Sequence, residues 1–223
     1  MSRYAYFVLS LMLLAASFLA LSAGAVTSPA SDGLVAVSSR NLDEVYVRPG
    51  ADFQAYRKVV IDPARVEFRK GWLRSINATR GPSRWLVPED AANIADNAAT
   101  SLTDVVVASF TSRGYEIVTA PGAGVLRVSA NVTDLVVNAP DVASASMQAL
   151  YNVTAGEATL TLEVRDAATG TLLGRVVDRG TARELSSRGN RAFGVTNVFW
   201  FDALFRQWTA NSIKEFESAR LVR

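Results

Sequence analysis

Along residues 34–220 the hydrophobic positions recur with two different periods, and the changes of period divide the chain into elements. Residues 42–56 (LDEVYVRPGADFQAY) form two short segments carrying Tyr46, Phe53 and Tyr56, separated by a Pro49-Gly50 turn signal. Residues 57–68 are rich in Val and Ile, and Ala64, Val66 and Phe68 alternate with Arg65 and Glu67. One long strand is predicted there, with a bulge or edge position at Pro63, where a missing backbone donor is tolerated. Residues 71–88, with Gly81-Pro82 and two Trp, read as a loop. A helix is predicted from Pro88, since Pro suits the first turn and Glu89 and Asp90 complement the helix dipole. Ile94, Ala98, Leu102, Val105 and Phe110 follow at helical spacing, and Gly114 supplies the stop after Arg113.

Beyond it the period returns to two. Residues 115–118 form a short strand ended by Pro121-Gly122, and Leu126, Val128, Ala130 and Val132 alternate with polar residues. The apolar phase then slips to Leu135 and Val137, which predicts a β-bulge near Thr133-Asp134, because a slip of one residue turns side chains to the other face. Residues 138–151 are a long polar connection. Leu160, Leu162 and Val164 open a hairpin whose turn is Asp166-Ala167-Ala168-Thr169-Gly170, and residues 179–190 form a polar loop or strand end. The last element, over residues 196–220, is an amphipathic helix with Phe201, Leu204, Phe205, Trp208 and Phe216 on one face. That stripe is expected to pack on the sheet, while the additional aromatics Phe199 and Trp200 are available to a membrane or partner. The order strand, helix, several strands, helix predicts an α+β domain: a mainly antiparallel sheet with two helices packed on one face.

The first 25 residues change the picture of where this domain works. Arg3, an apolar run over residues 7–21 and the small residues Ala23-Gly24-Ala25 have the pattern of an export signal cleaved near Ala25. The other reading is a retained anchor, for which the run is slightly short of the roughly 20 apolar residues a spanning helix needs. Residues 26–33 then read as a flexible tether and 34–223 as one domain, expected in the periplasm or bound to the envelope. With no Cys there is no lipoprotein acylation site and no disulfide; with no His as well, thiol nucleophiles, imidazole bases and most zinc sites are excluded. Without the leader, 22 basic residues face 21 acidic ones, and no basic stripe stands out along the sequence, which argues against a nucleic-acid binder.

Residues 43–62 (DEVYVRPGADFQAYRKVVID) resemble the start of the bacterial domain-of-unknown-function family numbered 3313. Asn138-Ala139-Pro140-Asp141, Gly156-Glu157 leading into LTLEVRDAATGTLL, and Arg175-Val176-Val177-Asp178-Arg179 fit the same pattern in the same order. The resemblance implies an exported envelope protein. It brings no catalytic residues, because the family has no established activity, and this chain lacks the acylated Cys of the lipoproteins common in that family.

Active-site signatures are missing. The chain has no H-E-x-x-H, no Ser-x-x-Lys and no G-x-S-x-G, and Pro121-Gly122-Ala123-Gly124 lacks the Lys and following helix of a phosphate loop. No cofactor is expected. Paired carboxylates remain the one catalytic option needing neither His nor Cys, with Glu157, Glu163, Asp134 and Asp141 on or near the sheet. Glu163 and Arg165 are expected to form a solvated pair, and Glu157 to satisfy loop donors. Tyr46, Arg48, Asp52 and Tyr56 around the Pro49-Gly50 turn, with Asp141 in the 138–151 loop, are the candidate partner-binding residues, aromatic and Arg anchors being the usual carriers of binding energy. The leading expectation is a non-enzymatic module that binds an envelope protein or cell-wall component, with peripheral membrane contact. The alternatives are a carboxylate-dependent glycan hydrolase, requiring two acids about 5–9.5 Å apart in one cleft, and a small-ligand carrier with a closed apolar pocket.

Overall fold

The computed structural model describes residues 32–138, 154–183 and 197–219. In chain order the elements are β1 (Val35–Val37), β2 (Glu44–Val47), β3 (Lys58–Ile61), β4 (Arg65–Phe68), α1 (Trp72–Ala78), α2 (Pro88–Ser112), β5 (Glu116–Ile117), β6 (Val125–Val137), β7 (Thr154–Asp166), β8 (Leu172–Arg183) and α3 (Asn197–Ser218). Short 3-10 turns lie at Phe53–Ala55 and Pro82–Arg84. The strands form one sheet in the order β1-β2-β8-β7-β6-β3-β5, with β4 also paired to β6.

The α+β class is as expected, but the sheet is mixed. β3 and β4 both run parallel to β6, and β3 runs parallel to β5; the remaining pairs are antiparallel. The cause is the connection. Hairpins reverse the chain, whereas the chain leaving β4 passes through α1 and α2 before rejoining the sheet, and a helical crossover returns it in its original direction. The single strand expected over residues 57–68 is two strands lying end to end along β6. They part at Asp62-Pro63-Ala64, where the Ala64 N–H leaves the ladder and donates to Thr103 Oγ1 on α2 (3.0 Å).

A third helix, α1, stands where a loop was expected. Trp72 holds it: its ring stacks on Phe68 with centroids 3.9 Å apart, and its indole N–H donates to the Val137 carbonyl (3.1 Å). Tertiary packing here outweighs the nearby Gly and Pro. The predicted bulge is present: the β6–β7 register shifts between Thr133 and Val136, and Asp134 takes a left-handed φ of 53°.

Helices α2 and α3 cover one face of the sheet. Phe201, Leu204, Phe205, Trp208 and Phe216 are all buried, as the periodicity predicted, and meet Val128, Val132, Leu160, Leu162 and Val176 in one core. Glycines let α3 lie close. A Cβ on Gly180 would sit 2.6 Å from Leu204 and 2.7 Å from Trp208, and one on Gly174 would sit 2.6 Å from Phe216. The two helices are joined by Ser101 donating to Asp202 and by an Arg113–Glu217 ion pair at 2.7 Å. No described helix is long and apolar enough to cross a membrane.

Candidate functional site

Three of the segments that carry the family resemblance meet where β2 pairs with β8 and β8 with β7. The register sets Tyr46 opposite Arg175, and Arg175 opposite Glu163. Because side chains alternate along a strand, this row lies on the face turned away from α3, the neighbouring Val45, Val176 and Leu162 being buried in the core. Arg175 donates through Nε to Glu163 Oε1 (2.8 Å) and lies 2.8 Å from Asp32 Oδ2. Arg165 holds the other Glu163 oxygen at 2.8 Å. The Tyr46 hydroxyl donates to Glu44 Oε2 (2.7 Å), and this bond to a carboxylate raises the phenol's pKa. The next row, Glu44, Val177, Thr161 and Asn131, continues the same face. The result is a polar, charge-paired strand surface opposite the helices.

Arg48, Asp52 and Tyr56 gather at the hairpin end of β7 and β8. Arg48 Nε donates to the Leu172 carbonyl and Nη2 to the Asp32 carbonyl, both at 2.6 Å. Arg48 thus ties backbone segments together. The Tyr56 hydroxyl donates to Asp166 Oδ2 (2.9 Å), and burial followed by this bond pushes its pKa up to about 12. Asp52 caps the 3-10 turn by accepting from the Gln54 N–H (3.0 Å). Of the five residues proposed from the sequence, Tyr46 lies on the strand face opposite the helices, Arg48 and Tyr56 brace the hairpin, and Asp52 caps the 3-10 turn. Asp141 and the rest of the 139–153 segment lie outside the described residues, as do the side chains of Phe199 and Trp200.

Two of the four acids considered for catalysis, Glu157 and Glu163, are engaged elsewhere, and Asp141 lies outside the described residues. Glu157 pairs with Arg69 at 3.0 Å, in place of the loop donors expected for it. Glu163 sits between two arginines, Asp134 is exposed in the bulge, and Asp62 accepts from Arg127 (2.8 Å) and Ser129 (2.6 Å). The Arg127 bond is the main reason the Asp62 carboxyl titrates low. The sequence reading passed over Asp178. It lies on the core side of β8, accepts the Trp208 indole N–H (2.5 Å) and the Asp43 N–H (2.7 Å), and has its pKa raised chiefly by burial. Asp43 answers by accepting the Arg179 N–H (3.0 Å), so the two acids clasp the start of β2 to β8. At 8% exposure beneath α3, with both oxygens bonded, Asp178 is a structural acid. Among the described residues no group of three or more acids is placed to hold a metal ion. The Glu163–Arg175 pair was also missed: counting back from the hairpin turn sets Glu163 opposite Gly174, and only the register shift between Val164 and Arg165 brings it opposite Arg175.

A family model described as Protein of unknown function (DUF3313) matches residues 27–211. No curated protein matches the sequence. Similar solved structures include a PelC dodecamer from Paraburkholderia phytofirmans, at 10% identity and TM-score 0.36, covering 75% of this chain and 95% of that one. A Xanthomonas campestris protein of family DUF330 has 14% identity and TM-score 0.37 over 75% of this chain and 89% of its own. A Helicobacter pylori protein described as a neuraminyllactose-binding hemagglutinin homolog has 12% identity and TM-score 0.36, covering 77% and 94%.

Proposed function

The chain belongs to the DUF3313 family of proteins of unknown function, and from that premise we propose that it is an exported envelope protein acting as a non-enzymatic binding module, its partner engaged by the strand face of β2, β8 and β7. The observation that carries this reading is the row Tyr46, Arg175, Glu163 and Arg165 on the face opposite α3. A sheet face presenting prearranged Arg, Tyr and carboxylate groups suits recognition of a polar partner, because those groups lose little freedom on binding. Export is supported by the leader pattern over residues 1–25 and by the family resemblance. Against hydrolysis, two of the candidate acids, Glu157 and Glu163, are held in ion pairs by Arg69, Arg165 and Arg175, and Asp178, whose pKa is raised, is sealed under α3.

The test is site-specific photocrosslinking in the native envelope, with the crosslinking residue at Tyr46 or Thr161 and, as control, at Thr100 on the exposed side of α2. The same single partner captured from both strand-face positions and missing from the control is the expected result. Equal capture from all three positions, or none from the strand face, would overturn the reading.

A further inference from the structure

Between Glu67 and Glu89 the chain carries five basic residues and no acid: Arg69, Lys70, Arg74, Arg80 and Arg84. The expectation that no basic stripe stands out along the sequence is thus corrected by this stretch, and the fold makes the group a surface. Asn77 clasps the ends of the following loop, its Nδ2 donating to the Leu86 carbonyl (2.8 Å) and its Oδ1 accepting the Leu86 N–H (2.9 Å). Inside the clasp the Trp85 indole donates to the Arg80 carbonyl (3.2 Å), and Arg80 Nη1 reaches the Arg84 carbonyl (3.4 Å). Arg74 lies one turn before Asn77 on α1, a helix only about 10 Å long at ~1.5 Å per residue.

The apolar side chains of this loop are sorted by backbone conformation. Trp85 and Val87 are both extended (φ −65°, ψ 135°; φ −98°, ψ 165°), so alternate residues point to opposite sides. Leu86 turns inward against the core, while Trp85 and Val87 turn outward at 57% and 51% exposure. Lys70, Arg74 and Arg84 are exposed as well. Glu157 is paired with Arg69 and Asp90 accepts the Val87 N–H (2.8 Å) at the start of α2, while Glu67 and Glu89 are exposed at the two ends of the segment.

We propose that the clasped loop over residues 77–87, with Lys70 and Arg74, docks this protein onto an anionic phospholipid surface, Trp85 and Val87 entering the headgroup region while the cations meet lipid phosphates. Charge complementarity supplies the attraction. The outward Trp favours a lipid occupant over a soluble polyanion, because an indole is at home at the boundary between water and acyl chains, where its ring is buried and its N–H stays wet. This surface is separate from the β2–β8–β7 strand face, so either proposal can fail alone.

The test uses the protein purified from its native envelope, mixed with vesicles of phosphatidylcholine alone or with half phosphatidylglycerol. Trp85 insertion is read as quenching by brominated lipid that disappears in Trp85→Phe, and partitioning is read by sedimentation. Partitioning that rises with phosphatidylglycerol and falls roughly tenfold to thirtyfold in Arg74→Gln/Arg84→Gln is expected, from about 1 kcal/mol per surface cation. Asn77→Ala keeps every charge but opens the clasp, and is expected to lose the Trp85 quenching. Circular dichroism confirms that each variant is folded. Equal partitioning of wild type and the double Arg variant, or quenching that persists in Trp85→Phe, would overturn the proposal. So would binding to a single-stranded oligonucleotide as tight as to anionic vesicles and unaffected by Trp85→Ala, which would make the patch a soluble-polyanion site.

Discussion

The backbone of β8 comes close enough to α3 that single atoms decide the packing. A methyl group at Gly180 would meet Leu204 and Trp208 well inside van der Waals contact, and both belong to the buried face of α3. Overpacking of this kind costs about 1–3 kcal/mol, so Gly180→Ala is expected to lower the unfolding free energy by that amount, read as a lower urea midpoint with an unchanged m-value. Tyr56 gives a second prediction at this scale. Its pKa, raised from 10 to about 12, means that the neutral phenol is the form the fold favours. Its stabilisation is complete below the unfolded value of 10 and is lost as pH rises through the folded value. Tyr56→Phe is expected to cost about 1 kcal/mol at pH 8. In alkaline ultraviolet titration it should remove a tyrosine ionising near pH 12. Both residues were visible in the sequence, but neither role was, because the contact each makes is with an element far away along the chain.

The elements divide by how local their cause is. α3 follows from its own period, since five aromatic or aliphatic residues on one stripe must be buried together wherever the helix lies. The β7–β8 hairpin follows from a local turn, with Asp166 accepting the Ala168 and Thr169 N–H groups and Gly170 at φ 72°. α1 has no such local cause. It has seven residues, is flanked by Gly71 and Gly81, and depends on Trp72 docking onto Phe68 and the Val137 carbonyl. Trp72→Ala is therefore expected to lower overall stability by about 3–5 kcal/mol. It should also raise amide exchange across residues 72–87 more than across the β7–β8 hairpin, measured by hydrogen exchange. Equal loosening of both regions would show that α1 is held by something other than Trp72.

For the molecule as a whole, pH dependence combines acids shifted in opposite directions, Asp62 and Asp166 downward and Asp178 upward. Asp62, lowered by Arg127 and Ser129, supports the fold above its ordinary value of 3.8 and loses that support as pH falls through its depressed folded value. Asp178, raised by burial, works the other way: its contribution is fullest below 3.8 and declines as pH rises through its elevated folded value. Stability measured by urea unfolding from pH 8 downward is thus expected to rise slightly at mildly acidic pH, then fall below about pH 4. Asp178→Asn should flatten the upper limb, and Asp62→Asn the lower one. Much of the architecture was decided by the sequence alone: two long helices, the β7–β8 hairpin, the bulge at Asp134 and an α+β class all follow from periodicity and turn chemistry between near neighbours. Tertiary structure alone decided the parallel pairing of β3 and β4 with β6, the existence of α1 and the Asp43–Asp178 clasp. Each of these depends on the distance between residues remote in sequence, which local pattern does not encode, and on burial strong enough to override the nearby Gly and Pro.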